Sequence, residues 1–155
     1  ERQTRKIYVA IVGSNPPAEK SGLIDVPLVK VQETGRSRMI AARADRKGAL
    51  ASRTRWDLLE TRGACAIMRL YPESGRMHQI RIHLAHIGCP IIGDPIYGHG
   101  VRDGCRLMLH ALSLEIRKPS GGLLELTADI PSDFAEVVNE LGFESLSSAA
   151  WSGSM

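Results

Sequence analysis

The chain has 155 residues, 43% of them apolar and 24% charged, which is the size and balance of one soluble globular domain with its own core. It holds no run of 18 apolar residues, its opening ERQTRKIYVAIVG does not form a signal peptide, and Cys65, Cys89 and Cys105 have no CxxC spacing. A membrane helix, a disulfide framework and a structural zinc are therefore set aside, and a reduced cytoplasmic protein is expected. Charge is uneven: residues 1–81 carry 16 of the 20 Lys and Arg against 8 acids, a net of +8, and residues 82–155 carry a net of −5. A basic half points to a polyanion or to a solvated basic face.

Lys6 to Gly13, KIYVAIVG, is rich in β-branched residues and predicts a buried strand. The chain thus opens without Met and already in a strand pattern, as expected of a piece of a longer protein. SNPPAEKSG (14–22) is a loop, and LIDVPLVKV (23–31) is a strand with Pro27 in it, irregular or at an edge. Arg38–Arg43 and Leu50–Glu60 predict two more strands. In the second, Ser52, Thr54 and Trp56 alternate with Arg53, Arg55 and Asp57. ACAIMRLYP (64–72) is a further strand. A helix is predicted over 76–88, followed by a shaped Pro- and Gly-rich loop, CPIIGDPIYGHG (89–100). Strands at 106–116 and 123–129 form a hairpin around KPSGG. Pro131, Ser132 and Asp133 open an amphipathic helix to Leu141, with Phe134, Val137, Val138 and Leu141 on one face. Residues 144–155 are Ser- and Ala-rich and expected to be disordered. Mostly strands with two helices is an α+β order.

Within the helix over 76–88, Met77, Ile80, Leu84 and Ile87 make one apolar stripe. At about 100° per residue, Arg81 falls only about 40° from Met77. A guanidinium beside a core either snorkels or answers a carboxylate, and an acid held against it stays ionised, as a nucleophile needs. His78, His83 and His86 with Asp94 invite a metal, but 78 and 83 lie about 140° apart and no HExxH is present, so hydrogen-bonding histidines are the simpler reading. Tyr8 shares a strand face with Lys6 and Ala10, suited to packing or to stacking on a base. Asp94, between Gly93 and Pro95, reads as a turn residue.

Together these segments resemble one family. GRMHQIRIHLAHIGCPIIGDPIYG is similar to the signature GRxHQIRxHLxxxGxPIxGDxxYG of the RluA-type pseudouridine synthases. KIYVAIVG resembles the family's KxYxAxVxG strand, and GLIDVPL its GxIDxPL segment. SRTRW resembles the AxTxY/W strand, and RLMLHALSLEIRKPSGGLLELTADIPSDF the segment that closes the domain. The likeness runs from about Arg5 to Phe143, about 90% of the chain.

The resemblance implies an α+β pseudouridine-synthase fold with a mixed or antiparallel sheet over residues 1–143, truncated on its N-terminal side. It implies isomerisation of uridine in rRNA or tRNA without a cofactor or metal, on a nucleotide flipped out of the RNA. The family's nucleophile is an Asp in HRLDxx[TS]SG, and none of the seven Asp residues here stands in an RLD context. The carboxylate for Arg81 is therefore expected from outside this chain, in the missing N-terminal portion of the same protein, and the chain alone is expected to be inactive. By the same resemblance Tyr8 contacts the flipped base and Arg81 pairs with the nucleophile. Arg76, His78 and Gln79 hold RNA or order the helix, Leu109 walls the pocket and Asp94 is structural. The alternatives are a non-catalytic RNA-binding domain on the same fold and a metal hydrolase using His83, His86 and Asp94.

Overall fold

A computed structural model describes residues 4–98, 102 and 104–145. In chain order the strands are β1 (Arg5–Val12), β2 (Ser21–Asp25), β3 (Leu28–Glu33), β4 (Arg36–Ala41), β5 (Arg53–Arg62), β6 (Cys65–Pro72), β7 (Leu109–Arg117) and β8 (Leu123–Thr127). Helix α1 (Gln79–His86) lies between β6 and β7, and α2 (Ser132–Glu140) follows β8. Six strands form one sheet in the order β2-β5-β6-β1-β7-β8, with every neighbour antiparallel. The architecture is the expected α+β.

The strand expected over 23–31 is two strands. Pro27 has no N–H to give a ladder, and beyond it the chain leaves the main sheet. There β3 pairs with β4 in a separate hairpin. Strand β7 begins at Leu109 rather than 106, because the preceding residues bond to the 89–98 loop: the Met108 N–H donates to the Ile92 carbonyl at 2.9 Å.

In the centre of the sheet β1 is buried on both faces from Val9 to Val12, as are Ala66 to Met68 of β6. Alternation places successive side chains on opposite faces, so both faces here are covered. Helix α2 adds Phe134, Val137 and Val138 to this core, as its spacing predicts. Each such fully buried apolar side chain contributes about 1.5–3 kcal/mol relative to exposure.

Helix α1 starts three residues later than expected. His78 is left-handed (φ 56°, ψ 19°), so Arg76 and Met77 precede the helix, and Met77 is 48% exposed instead of on an apolar stripe. Nor does one stripe carry the burial. Ile80 and Leu84 join the main core, while Ile82 packs on Leu28 and Met39 of the β3–β4 hairpin. The helix is enclosed between sheet and hairpin, so residues on more than one of its faces become interior. At the other end, the Glu60 carboxylate accepts the N–H groups of Glu144 (3.0 Å) and Ser145 (2.7 Å), which ties those two residues to β5. The remainder of the expected disordered tail, 146–155, lies outside the described residues.

Candidate functional site

A cleft of about 370 Å³ opens where β1, β7 and the start of α1 meet. Tyr8 lines it, and so do Arg76, His78, Gln79, Arg81 and Leu109, the six site residues singled out in the sequence. Lys6 lines it too, with its Nζ against Gly75. It was missed as a site residue, although the period of two from Tyr8 places it on the same face. Beside Tyr8 the β1–β7 register slips: Ile7 faces Ser113 while Tyr8 faces Ala111, leaving Leu112 as the extra residue. A bulge of this kind bends the strand and re-aims neighbouring side chains.

Arg81 does not lack a carboxylate in this chain, contrary to the expectation from sequence. Its Nε donates to Asp94 Oδ2 (2.8 Å) and its Nη2 to Asp94 Oδ1 (2.7 Å), a two-pronged pair. The Arg81 side chain is 13% exposed and that of Asp94 0%. The sequence hid this partner because the two residues stand 13 apart, one on a helix and one on a loop with no periodicity to relate them. The loop is held by close approach. A Cβ on Gly93 (φ +74°) would stand 2.1 Å from the Arg106 carbonyl oxygen, which only glycine tolerates. Asp94 Oδ1 also accepts the N–H groups of Ile96 (2.9 Å) and Tyr97 (3.0 Å), the turn role expected of it.

Burial pushes the Asp94 carboxyl up, but hydrogen bonds from Arg81 and from the Tyr97 and Ile96 amides outweigh it and hold it below its ordinary value. The Asp94 hydrogen bond raises Arg81 in turn. The Tyr97 ring lies against the guanidinium, with Arg81 Cζ 5.2 Å from its centroid. Tyr97 was overlooked in the sequence although it is the Tyr of GDPIYG.

His78 Nδ1 lies 3.2 Å from the Tyr97 hydroxyl, which donates to the Met39 carbonyl at 3.0 Å. That carbonyl only accepts, so the Tyr97 proton is committed and His78 Nδ1 must be the donor. Burial and the neighbouring Arg81 both lower the His78 pKa, with Asp94 opposing them. Neutral His78 then keeps an acceptor lone pair on Nε2.

Gln79 has no amide atom to spare for a ligand. Its Oε1 accepts from Ser74 Oγ (2.6 Å) and the Arg76 N–H (3.1 Å), and its Nε2 donates to the Arg53 carbonyl (2.9 Å) and Thr54 Oγ1 (3.1 Å). Of its two expected roles, ordering the helix start is the one this geometry performs. His83 is fully buried, with Nε2 2.9 Å from the Val26 carbonyl and Nδ1 2.8 Å from Thr54 Oγ1. No group of three His, Cys, Asp or Glu suited to a metal comes together among the described residues, and the atoms of His83 and Asp94 are already engaged.

The site therefore presents an oriented guanidinium and a tyrosine on one cleft, flanked by Lys6, Arg76 and a neutral histidine. A fixed cation beside an aromatic suits a carboxylate or phosphate next to a planar ring.

The family model described as RNA pseudouridylate synthase matches residues 1–86. An uncharacterized RNA pseudouridine synthase of Chloroflexus aurantiacus is 39% identical over 143 residues, covering 90% of this chain and 43% of its own length. The dual-specificity RNA pseudouridine synthase RluA of Vibrio vulnificus is 32% identical over 145 residues, covering 92% of this chain and 57% of its own. The chain thus spans about half the length of these relatives. The solved structure of human RNA pseudouridylate synthase domain containing 4 superposes with a TM-score of 0.69 at 25% identity, over 90% of this chain and 62% of that one.

Proposed function

The chain belongs to the RNA pseudouridylate synthase family, of the RluA type, and we propose that it carries one wall of the active site of an RNA uridine isomerase. The observation that carries this reading is the convergence of Tyr8 and Arg81 on one cleft, with Arg81 oriented and largely buried. In the proposed reaction an Asp from a segment outside these 155 residues docks on Arg81, which keeps it ionised as the attacking group. The carboxylate bonds to C1′ as the N1–C1′ bond of the flipped uridine breaks and N1 takes up a proton; the base turns, C5 bonds to C1′ as the carboxylate leaves it, and the C5 proton passes to water. Tyr8 stacks on the base and its hydroxyl stands near the departing proton. Lys6 and Arg76 meet the phosphates, and Leu109 closes the apolar side.

Binding of rRNA or tRNA draws on the exposed cations Lys30, Arg36, Arg46 and Lys47 around the β3–β4 hairpin. The three cysteines are free thiols, in keeping with work in the cytoplasm. No helix among the described residues is long and apolar enough to cross a membrane.

The test is release of tritium from RNA labelled at uridine C5, made with the longer protein that bears the HRLD segment. Wild type releases tritium, and Tyr8→Phe lowers kcat by about 10²-fold or more with little change in RNA affinity. The 155 residues alone release none until that segment is supplied. RNA binding without tritium release from any rRNA or tRNA would decide for a non-catalytic binding domain, and absence of both sinks the RNA reading.

A further inference from the structure

Asp94 is engaged in two ways that share Oδ1 and differ at Oδ2. The turn needs only Oδ1, which accepts the Ile96 and Tyr97 amides. Oδ2 accepts only from Arg81 Nε, and together the two oxygens clamp one edge of the guanidinium. Arg carries five N–H groups in a fixed plane. The clamp takes the Nε–H and one Nη2–H, leaving both N–H groups of Nη1 and one of Nη2 at the end of the side chain. Among the described residues Nη1 has no hydrogen-bond partner, and it is not sealed from solvent. Tyr97 covers a face of the same group, and its hydroxyl is anchored to the Met39 carbonyl of β4. Plane, rotation and depth of the guanidinium are all set from behind, and Arg81 itself lines the cleft with Tyr8.

We propose that Asp94 is a positioning residue, whose grip on the Nε–Nη2 edge of Arg81 leaves the Nη1 end to receive the nucleophilic carboxylate. The proposal rests on the synthase reading above. One guanidinium serves two carboxylates: a resident one that aims it and an arriving one that reacts. The resident one also moderates the charge. Next to an already neutralised Arg81, the arriving carboxylate is stabilised less than by a lone guanidinium. The other groups around the pair are Lys6, Tyr8, Arg76 and His78 on the cleft, Tyr97 over the guanidinium, and Arg38 beside Tyr97.

Asp94→Asn separates the two roles. The Asn carbonyl still serves the turn amides and one Nη2–H, but its NH₂ meets Arg81 Nε–H donor to donor, so the Nε prong of the clamp and its negative charge are lost. In the longer protein, kcat for uridine isomerisation should fall about 10–100-fold, with KM for RNA within about twofold. The acid limb of the pH–kcat profile should move to lower pH, because the nucleophile then has Arg81 to itself. In the 155-residue chain, the Arg81 Nε–Hε NMR resonance should lose the shift that the Asp94 hydrogen bond produces. A kcat within about twofold of wild type overturns the proposal, and so does a loss of kcat with the acid limb unmoved, which a purely structural loop residue would give. If the wild-type protein isomerises no RNA, the synthase reading fails and the NMR comparison alone decides. An unmoved Arg81 resonance in Asp94→Asn then overturns the grip itself, whereas a lost shift keeps the grip on Arg81 and overturns only its service to a nucleophile.

Discussion

Helix α1 carries two polar arrangements side by side, and they are built on opposite plans. Gln79 and His83 belong to a neutral relay: Gln79 Nε2 donates to Thr54 Oγ1, the Thr54 hydroxyl donates to His83 Nδ1, and His83 Nε2–H donates to the Val26 carbonyl. Every position is used, no net charge is buried, and the relay joins the helix to β5 and to the turn before β3. Between them in sequence, Arg81 makes a charged pair with Asp94 that uses two of five N–H groups. The first arrangement is closed and holds the fold. The second keeps unused donors at the cleft. Buried neutral networks are stable when complete, whereas a buried charge with spare donors invites a further partner.

The contrast is broken most sharply at Arg81. Arg81→Met leaves Asp94 a buried carboxylate without its cation and should cost about 3–5 kcal/mol, read from urea unfolding at neutral pH. The deficit should shrink toward acid pH, since protonating Asp94 removes the uncompensated charge. A cost below about 1 kcal/mol would mean that the pair is not the buried charge described here.

Thr54→Val probes the neutral relay. It keeps the shape but strands a Gln79 N–H and His83 Nδ1, and should cost about 1–3 kcal/mol with no growth or decline tied to the carboxylate range. If its cost instead followed the pH dependence of Arg81→Met, the two arrangements would be one coupled network.

The smallest effect is the acid sensitivity of the histidines. Burial lowers the His83 pKa, partly offset by the Val26 carbonyl, and burial also lowers that of His78. A histidine with a depressed folded pKa binds fewer protons folded than unfolded. Its stabilising share is complete above the ordinary value of 6.5 and is lost as pH falls through and below it. His83→Gln preserves a donor toward Val26 and an acceptor toward Thr54 without titrating. The fall of the urea midpoint between pH 7 and 5 should be shallower in this variant than in wild type, with the His78 share remaining. An unchanged slope would show that His83 does not titrate with folding.

Much of this was legible before any coordinates. Period-two runs such as KIYVAIVG and the KPSGG turn located strands and a hairpin, and the spacing of Phe134, Val137 and Val138 located α2 and its buried face. The family motifs located Tyr8, Arg81, Arg76, His78, Gln79 and Leu109, and all six line one cleft. The errors fell where contacts join distant segments. The helix start moved because the left-handed backbone of His78 and the Ser74–Gln79 hydrogen bond leave no periodic trace. The apolar stripe misled because a hairpin formed by other residues covers a second side of α1.

By itself the sequence determined the α+β order, the strands and the family, because those rest on side-chain alternation, turn chemistry and motif residues written along the chain. Only the tertiary structure decided which acid answers Arg81 and which polar groups are closed rather than available. A hydrogen bond is set by distance and direction between atoms, and the 13 residues from Arg81 to Asp94 or the 29 from Thr54 to His83 carry no local pattern that fixes either.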